Sequence, residues 1–155
     1  MLAEPDAAEA MASLQAACHP ACIGCRPRQE GGLGLRFEHA DGNGVVAHFD
    51  SDPSYQGYPD RLHGGIIATL LDAAMTHSLF ARCVLGYTVR MELRYRRPVV
   101  LGVPATVSAS VVHCRPPWFR VRAEVMQQGL VRASAEAVFR GEHWGESPGG
   151  NGTPA

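Results

Sequence analysis

The stretch RLHGGIIATLLDAAM, residues 61–75, decides the fold of this chain. From Ile66 to about Arg82 the apolar residues recur at helical spacing, and they cover an unusually wide arc. These positions are 66, 67, 70, 71, 74, 75, 79 and 80. The pattern therefore predicts a helix that is buried on most of its sides. Asp72 is the one carboxylate inside the run, although aspartate is among the residues least often fully buried.

The sequence after the helix alternates with a period of two, which is typical of strands. Beyond Gly86, the side chains of one predicted face are Val89, Met91, Leu93 and Tyr95, and the residues between them point the other way. Three further strands are predicted at 104–114, 118–127 and 130–140, with turns at 115–117 and 128–129.

The sequence before the helix predicts an alanine-rich helix at 6–17, a loop at 18–33, a β-hairpin over 34–50 around the turn DGNG, and a long loop at 51–62. A curved antiparallel sheet wrapped around one long apolar helix satisfies this order, because both partners then bury their apolar faces. This α+β arrangement is the hotdog fold. We divide the chain into an N-terminal helical extension (1–17), a hotdog domain (18–140) and a flexible Gly/Pro-rich tail (141–155).

Composition limits the classes of function. The chain has 155 residues, of which 46% are apolar and 19% charged, as in a globular protein. Its formal net charge of −1 gives no electrostatic support for a nucleic-acid or membrane partner. No run reaches the roughly 18 apolar residues of a membrane span, and the N-terminus carries acids where a secretory signal needs positive charge. We therefore expect a cytoplasmic protein with one domain.

The five cysteines are expected to be thiols in that compartment. Cys18, Cys22 and Cys25, with His19 or His39 as nitrogen donors, contain one C-x₂-C pair of the kind that binds zinc. No second pair follows at zinc-finger spacing, so a complete ligand set is missing. We therefore predict that no metal is bound.

Asp72 has two interpretations. It either lies on an exposed stripe of the helix, beside Thr69 and Thr76, or it is a functional carboxylate in an apolar site. The upstream glycines favour function, because Gly64 and Gly65 let a ligand approach the backbone where the first amides of a helix lack intrahelical partners. Such amides can form an oxyanion hole, which binds a carbonyl oxygen as it becomes negative.

The spacing of these groups has a consequence for assembly. Gly64 and Asp72 are eight residues apart, which is about 12 Å along one helix axis. An oxyanion donor and an attacking group must both lie about 3 Å from the reacting centre. One helix cannot supply both, whereas two antiparallel copies related by a two-fold axis can. If the site is catalytic, we predict a homodimer or a dimer of dimers, that is, a homotetramer.

The motif LHGGIIATLLDAAM resembles the signature of PaaI-like hotdog acyl-CoA thioesterases, in which His-Gly-Gly is followed by an acid nine positions after the histidine. The resemblance covers about residues 22–140, including GLGLRF, YQGYP and YTVRMELRYRRPV. It implies hydrolysis of an acyl-CoA thioester without a cofactor. By this resemblance Asp72 is the nucleophile or general base, the Gly64 amide binds the oxyanion, and His63 orients or polarises the carbonyl.

The resemblance extends to further residues and has two departures. Thr88 matches a hydroxyl that positions the attacking water in relatives, provided that its face of the strand turns towards the site. Gly57 stands where many relatives have Asn, with Gln56 adjacent as a substitute amide, and Ala73 replaces a Glu, so activity rests on Asp72 alone. Most strand arginines are expected on a solvated outer face, although two of them suit the phosphates of coenzyme A. The predicted substrate-binding residues are Gln56, Gly57, Gly65, Arg96 and Arg97.

Two other functions stay open. One is a non-catalytic acyl-CoA-binding or regulatory hotdog protein, against which the retained Asp72 and His-Gly-Gly favour the enzyme. The other is a hotdog hydratase or dehydratase, which needs a different arrangement of His and acid that this sequence does not show. The acyl group cannot be read from the sequence, because several strands and both subunits build the walls of the pocket.

Overall fold

The computed structural model describes residues 6–42 and 44–145. Its helices are α1 (Ala7–Cys18) and α2 (Gly64–Phe80), and its strands are β1 (Glu38–Ala40), β2 (Gly44–Asp50), β3 (Val84–Tyr95), β4 (Pro104–Arg115), β5 (Trp118–Gln127) and β6 (Leu130–His143). None of the helices in this part of the chain is long and apolar enough to cross a membrane.

The strands form one antiparallel sheet in the order β1-β2-β4-β5-β6-β3, with α2 packed against one face. The predicted hotdog fold is therefore confirmed. Among the described residues β3 pairs only with β6, so its other edge is open along its whole length. Three exposed apolar or aromatic side chains lie on this strand: Tyr87, Val89 and Tyr95.

The core consists of the side chains on one face of the sheet, where every second residue of a strand is buried, and of the wide apolar arc of α2. In β5, alternate residues from Phe119 to Val125 are buried and the residues between them are exposed. Every residue of α2 from Ala73 to Phe80 is buried. The facing positions of β6 are small at Ala133, Ala135 and Ala137, which leaves room for this bulky helix to approach the sheet.

The N-terminal elements differ in detail from the prediction. Helix α1 runs one residue further, to Cys18, and its Met11 and Leu14 belong to the core, so the extension packs on the domain. The first hairpin strand is limited to Glu38–Ala40. The residues before it bond elsewhere, since the amides of Leu33 and Leu35 donate to the loop carbonyls of Ile23 and Gly24.

Two other predicted boundaries were wrong by a few residues. Helix α2 begins at Gly64 and ends at Phe80, two residues earlier at both ends than its apolar pattern indicated. Strand β6 continues to His143, past the predicted domain end at residue 140, and the Trp144 amide donates to the Cys83 carbonyl. The last ten residues of the predicted tail, 146–155, lie outside the described residues.

Candidate active site

His63 is the N-cap residue of α2. Its Nδ1 accepts a 2.9 Å hydrogen bond from the Gly65 amide, and its carbonyl accepts from the amides of Ile66 and Ile67. Because Nδ1 is an acceptor, the proton of the neutral ring is on Nε2, which can donate to a ligand. Gly64 is the first residue of the helix, where an amide has no intrahelical partner. Among the described residues no acceptor is found for the Gly64 amide.

A groove of about 710 Å³ opens at this helix end. Its wall includes four of the five residues predicted to bind the substrate, Gln56, Gly57, Arg96 and Arg97, and two of those predicted to be catalytic, His63 and Gly64. The fifth predicted substrate-binding residue, Gly65, does not line the groove, and its amide donates to His63. Tyr95 is a wall residue that the sequence did not single out, and its hydroxyl donates a 3.0 Å hydrogen bond to the Gly64 carbonyl.

The loop before α2 explains the unusual glycine at position 57. A Cβ atom there would lie 3.1 Å from the Cα atom of His63, so the glycine lets the loop lie directly on the capping histidine. The neighbouring Gln56 side chain accepts a hydrogen bond from the Asp60 amide, 3.2 Å away. Gln56 is thus in the groove, but its carbonyl oxygen already has a partner within the loop.

Asp72 lies on α2 and is hydrogen-bonded to strand β3. Thr88 Oγ1 donates to Asp72 Oδ1 at 2.7 Å. The carboxylate is half-buried, so the expectation of an apolar, enclosed carboxylate was wrong in degree. The less buried stripe of the helix around it also includes Ala68 and Thr69.

A β-bulge turns Thr88 towards the helix. The register of β3 against β6 pairs Thr88 with Phe139 and Arg90 with Val138, so Val89 is the extra residue. Thr88 therefore shares the helix-facing side with Met91, which pairs with the buried Ala137. The condition attached to Thr88 in the sequence is met, because the bulge reverses the strand's alternation.

The two groups of predicted catalytic residues are separate within one chain. His63 and Gly64 line the groove, whereas Asp72 and Thr88 do not. Gly64 and Asp72 are eight positions apart in one continuous helix, so their axial separation is about 12 Å, as the sequence indicated.

Of the two arginines predicted to bind phosphate, Arg97 lines the groove, and Arg96 lines both the groove and the outer face of the sheet. The backbone amides of Arg96 and Arg97 both donate to the Arg132 carbonyl, which fixes the end of β3 beside the groove. Arg96 also donates from Nε to Ser134 Oγ at 3.3 Å. On the outer face of the sheet, Arg120 and Arg122 pair with Glu136, as expected of a solvated surface.

Among the described residues, no group of three or more His, Cys, Asp or Glu side chains is arranged to hold a metal ion, in the cysteine loop or elsewhere. His39 lies on β1 and is exposed. The Sγ atom of Cys25 lies 3.5 Å from Nε2 of His77, a buried histidine of α2.

The segment that contains α2 and β3 is similar in sequence to known proteins. Residues 60–134 match the sequence profile of the thioesterase superfamily. Over 77 residues the chain is 35% identical to acyl-coenzyme A thioesterase THEM4 of Bos taurus, which covers 46% of this chain and 30% of the relative. The chain thus spans less than a third of the length of that relative.

Solved structures share the fold. The PaaI protein of the E. coli phenylacetic acid degradation operon superposes with a TM-score of 0.73 at 15% identity, over 87% of this chain and 92% of that one. The smu.793 protein of Streptococcus mutans UA159, bound to acetyl CoA, gives 0.66 at 18% identity, over 71% and 90%. The profile of the thioesterase superfamily thus matches just under half of the chain, and the chain shares the hotdog fold of the E. coli PaaI protein.

Proposed function

We propose that the protein hydrolyses an acyl-CoA thioester to the free acid and coenzyme A. The observation that carries the proposal is the Thr88–Asp72 hydrogen bond, which holds a half-buried carboxylate at one fixed place on α2. A second supporting feature is the Gly64 amide at the start of the same helix. The THEM4 relative is named as an acyl-CoA thioesterase, which supports the same substrate class.

In the proposed reaction Asp72 acts as the general base. It takes a proton from water, whose oxygen attacks the thioester carbonyl, and the oxyanion of the tetrahedral intermediate binds the Gly64 amide. Collapse of the intermediate breaks the C–S bond, and the coenzyme A sulfur takes the proton from Asp72. Direct attack by the carboxylate is the other route, and it would pass through an anhydride that water then cleaves.

Thr88 and His63 support these two groups. The Thr88 hydroxyl donates to Oδ1 of Asp72, which leaves Oδ2 for the water and the lone pairs of the hydroxyl as a second contact for it. His63 presents Nε2–H at the groove, because its Nδ1 is occupied by the Gly65 amide. It can therefore donate a hydrogen bond to the carbonyl oxygen of the substrate or to an atom next to that oxygen.

The complete site, in this proposal, forms between two copies of the chain. The open edge of β3 suits antiparallel pairing with a second β3, because a long unpaired strand with exposed Tyr87 and Val89 is a ready surface for another strand. Thr88 contacts Asp72 and Tyr95 contacts Gly64. A two-fold axis near Met91 and Glu92, midway along this segment, brings the Thr88 end of one copy to the Tyr95 end of the other.

Substrate placement follows from the same arrangement. The thioester lies at the junction of the two copies, and the groove of about 710 Å³ receives part of the ligand. Arg96 and Arg97 at the groove suit the phosphates of coenzyme A, because guanidinium groups bind phosphate oxygens in a bidentate way. The Streptococcus mutans structure bound to acetyl CoA supports this class of ligand.

A panel of CoA thioesters with short, long and aromatic acyl groups, assayed by thiol release, tests the proposal. We expect turnover of at least one class by the native chain and none by the Asp72→Asn variant. Binding of acyl-CoA without turnover by the native chain would instead identify a non-catalytic binding protein. Loss of water from a 3-hydroxyacyl-CoA would identify a dehydratase.

A further inference from the structure

A turn with two thiols, residues 22–25, lies beside the helix that carries Asp72 and takes no part in the proposed hydrolysis. The Cys25 amide donates to the Cys22 carbonyl at 3.1 Å, and the Arg26 amide donates to the same oxygen at 2.8 Å. Such a turn keeps the Cα atoms of its first and last residues within about 7 Å of each other. The Cα atoms of two disulfide-bonded cysteines lie about 4.4–6.8 Å apart, which overlaps with this range. The backbone of this dithiol turn is therefore already close to the geometry of a Cys22–Cys25 disulfide.

The surroundings of Cys22 favour its thiolate. The Cys25 thiol, the His19 side chain and the amides of Gly24 and Cys25 surround the Cys22 sulfur and favour its charged form. Together they lower the pKa of Cys22 to about 3. The sulfur of Cys22 is therefore the nucleophilic form at neutral pH.

Cys25 has the opposite environment. Its pKa is raised, chiefly by the hydrogen bond to Cys22 and by burial, so it keeps its proton. His77 Nδ1 lies 2.9 Å from the Ala73 carbonyl, which can only accept, so Nδ1 carries the proton. The lone pair of His77 Nε2 therefore faces Cys25 Sγ at 3.5 Å. A buried base is thus in place to take the thiol proton.

The turn is packed tightly against α2. A Cβ atom at Gly24 would lie 3.0 Å from the Cβ atom of Ala73, the residue after Asp72. The pKa of His19 is raised mainly by its hydrogen bond to Cys22 and to a smaller extent by the charge of Asp72. The two thiols therefore sit next to the candidate active site, although they use different side chains.

We propose that Cys22 and Cys25 form a reversible redox site that reacts with hydroperoxides, with Cys22 as the attacking thiolate and Cys25 as the resolving thiol. Cys22 forms an S–O bond as the O–O bond breaks, which leaves a sulfenic acid and one hydroxide, protonated to water. Cys25 then passes its proton through His77, forms the S–S bond, and releases the sulfenic oxygen as a second water. Two thiols are oxidised by two electrons, and one hydrogen peroxide is reduced to two waters.

The test uses the full chain, reduced, desalted, treated with a small excess of hydrogen peroxide, and then alkylated and digested. We expect a peptide with a Cys22–Cys25 disulfide, while the exposed Cys114 stays alkylated, and a dithiol reductant should reverse the change. In Cys25→Ser the sulfenic acid at Cys22 should accumulate and be trapped by dimedone. In Cys22→Ser neither product should form, and Cys114→Ser should behave like the native chain.

His77→Gln separates the two steps. Dimedone trapping at Cys22 should persist, whereas disulfide formation should slow by about 10²-fold, the lower end of what a positioned base contributes. The proposal is overturned if Cys114 or Cys18 is oxidised before Cys22, if Cys22 pairs with Cys18, or if the purified chain holds zinc on both thiols. None of these measurements follows thioester turnover, so they stand or fall separately from the proposed hydrolysis.

Discussion

The hydroxyl of Thr88 donates a 2.7 Å hydrogen bond to Oδ1 of Asp72, and this bond joins the edge strand β3 to the long helix α2. It fixes one carboxylate oxygen and leaves the other for a further partner. The bond depends on the bulge at Val89, without which Thr88 would face away from the helix. The candidate catalytic carboxylate is therefore positioned by an irregularity in the sheet.

Replacing Asp72 by Asn should abolish thioester cleavage and leave the fold intact. Asn has the same size and still accepts the Thr88 hydrogen bond, but it cannot take a proton from water at neutral pH. A general base contributes about 10²–10⁴-fold, and turnover should fall by at least that much while the affinity for coenzyme A persists. Steady-state kinetics and calorimetric binding on the same variant give the two values.

Asp60→Asn is the matched control, since Asp60 is exposed in the loop before α2 and has a positive φ of 63°, which Asn tolerates. It should keep native turnover. If Asp72→Asn retains turnover within a few-fold of the native chain, Asp72 is structural and the mechanism is wrong.

Thr88→Ala should lower kcat by about tenfold or more, because a hydrogen bond to a charged group contributes about 1.5–3 kcal/mol. KM should change little, since Thr88 does not line the groove. Thr88→Ser restores the hydroxyl and should recover most of the rate. Equal loss in both variants would mean that the threonine methyl group, and not the hydroxyl, is what matters.

A cysteine placed at Glu92 should cross-link to its own copy if two chains pair through β3. Residues close to a two-fold axis meet their equivalents, so a 92–92 linked peptide is expected in high yield by mass spectrometry. Glu124→Cys is the control, because Glu124 lies exposed on the central strand β5, far from the open edge. Sedimentation that shows a fully active monomer at assay concentration would contradict the shared site.

Alkylation of Cys22 by iodoacetamide should be almost independent of pH between pH 5 and 8. The Cys25 thiol first, then His19 and the amides of Gly24 and Cys25, lower the pKa of Cys22 to about 3, so the thiolate fraction is already complete across this range. The titratable groups nearest to Cys22 are His19, Cys25 and His77. A small-molecule thiol with a pKa of about 8.5 in the same solution should slow by about tenfold per pH unit below that value. A tenfold slope at Cys22 itself would show that the turn does not stabilise the thiolate.

Chelation should change neither the melting temperature nor the turnover. The cysteine loop offers one C-x₂-C pair, and structural zinc requires four ligands. Elemental analysis of the purified chain, followed by thermal unfolding with and without a chelator, measures this directly. Stoichiometric zinc, with unfolding on its removal, would reverse the prediction.

The fold could be predicted from the sequence because its periodicities are local. The apolar arc of α2 and the alternation in β5 can each be read within one element. Packing α2 against the apolar face of the sheet then buries the apolar surfaces of both. The boundaries were less certain, because Gly64 and Gly65 begin the helix without an apolar signal. The limited first strand, Glu38–Ala40, depends on bonds from Leu33 and Leu35 to a distant loop, which no local pattern records.

Part of the candidate site could be proposed from the sequence for the same reason. His63, Gly64 and Asp72 stand at fixed spacing along one helix, so their relation is local. Tyr95 was missed because its hydroxyl binds a backbone carbonyl 31 residues away, and a carbonyl has no signature in the sequence. The bulge at Val89 was missed because one extra residue in a strand becomes visible only when the partner strand is aligned with it.

The bulge also limits which changes in length β3 can accept. Thr88 and Tyr95 are seven residues apart, an odd number that in a regular strand would place them on opposite faces. Val89 absorbs one residue, so both side chains reach the helix. A deletion or insertion of a single residue here would turn one of them outwards even if every remaining side chain were kept. Among related chains, the length of this segment should therefore vary less than the identity of its outward residues.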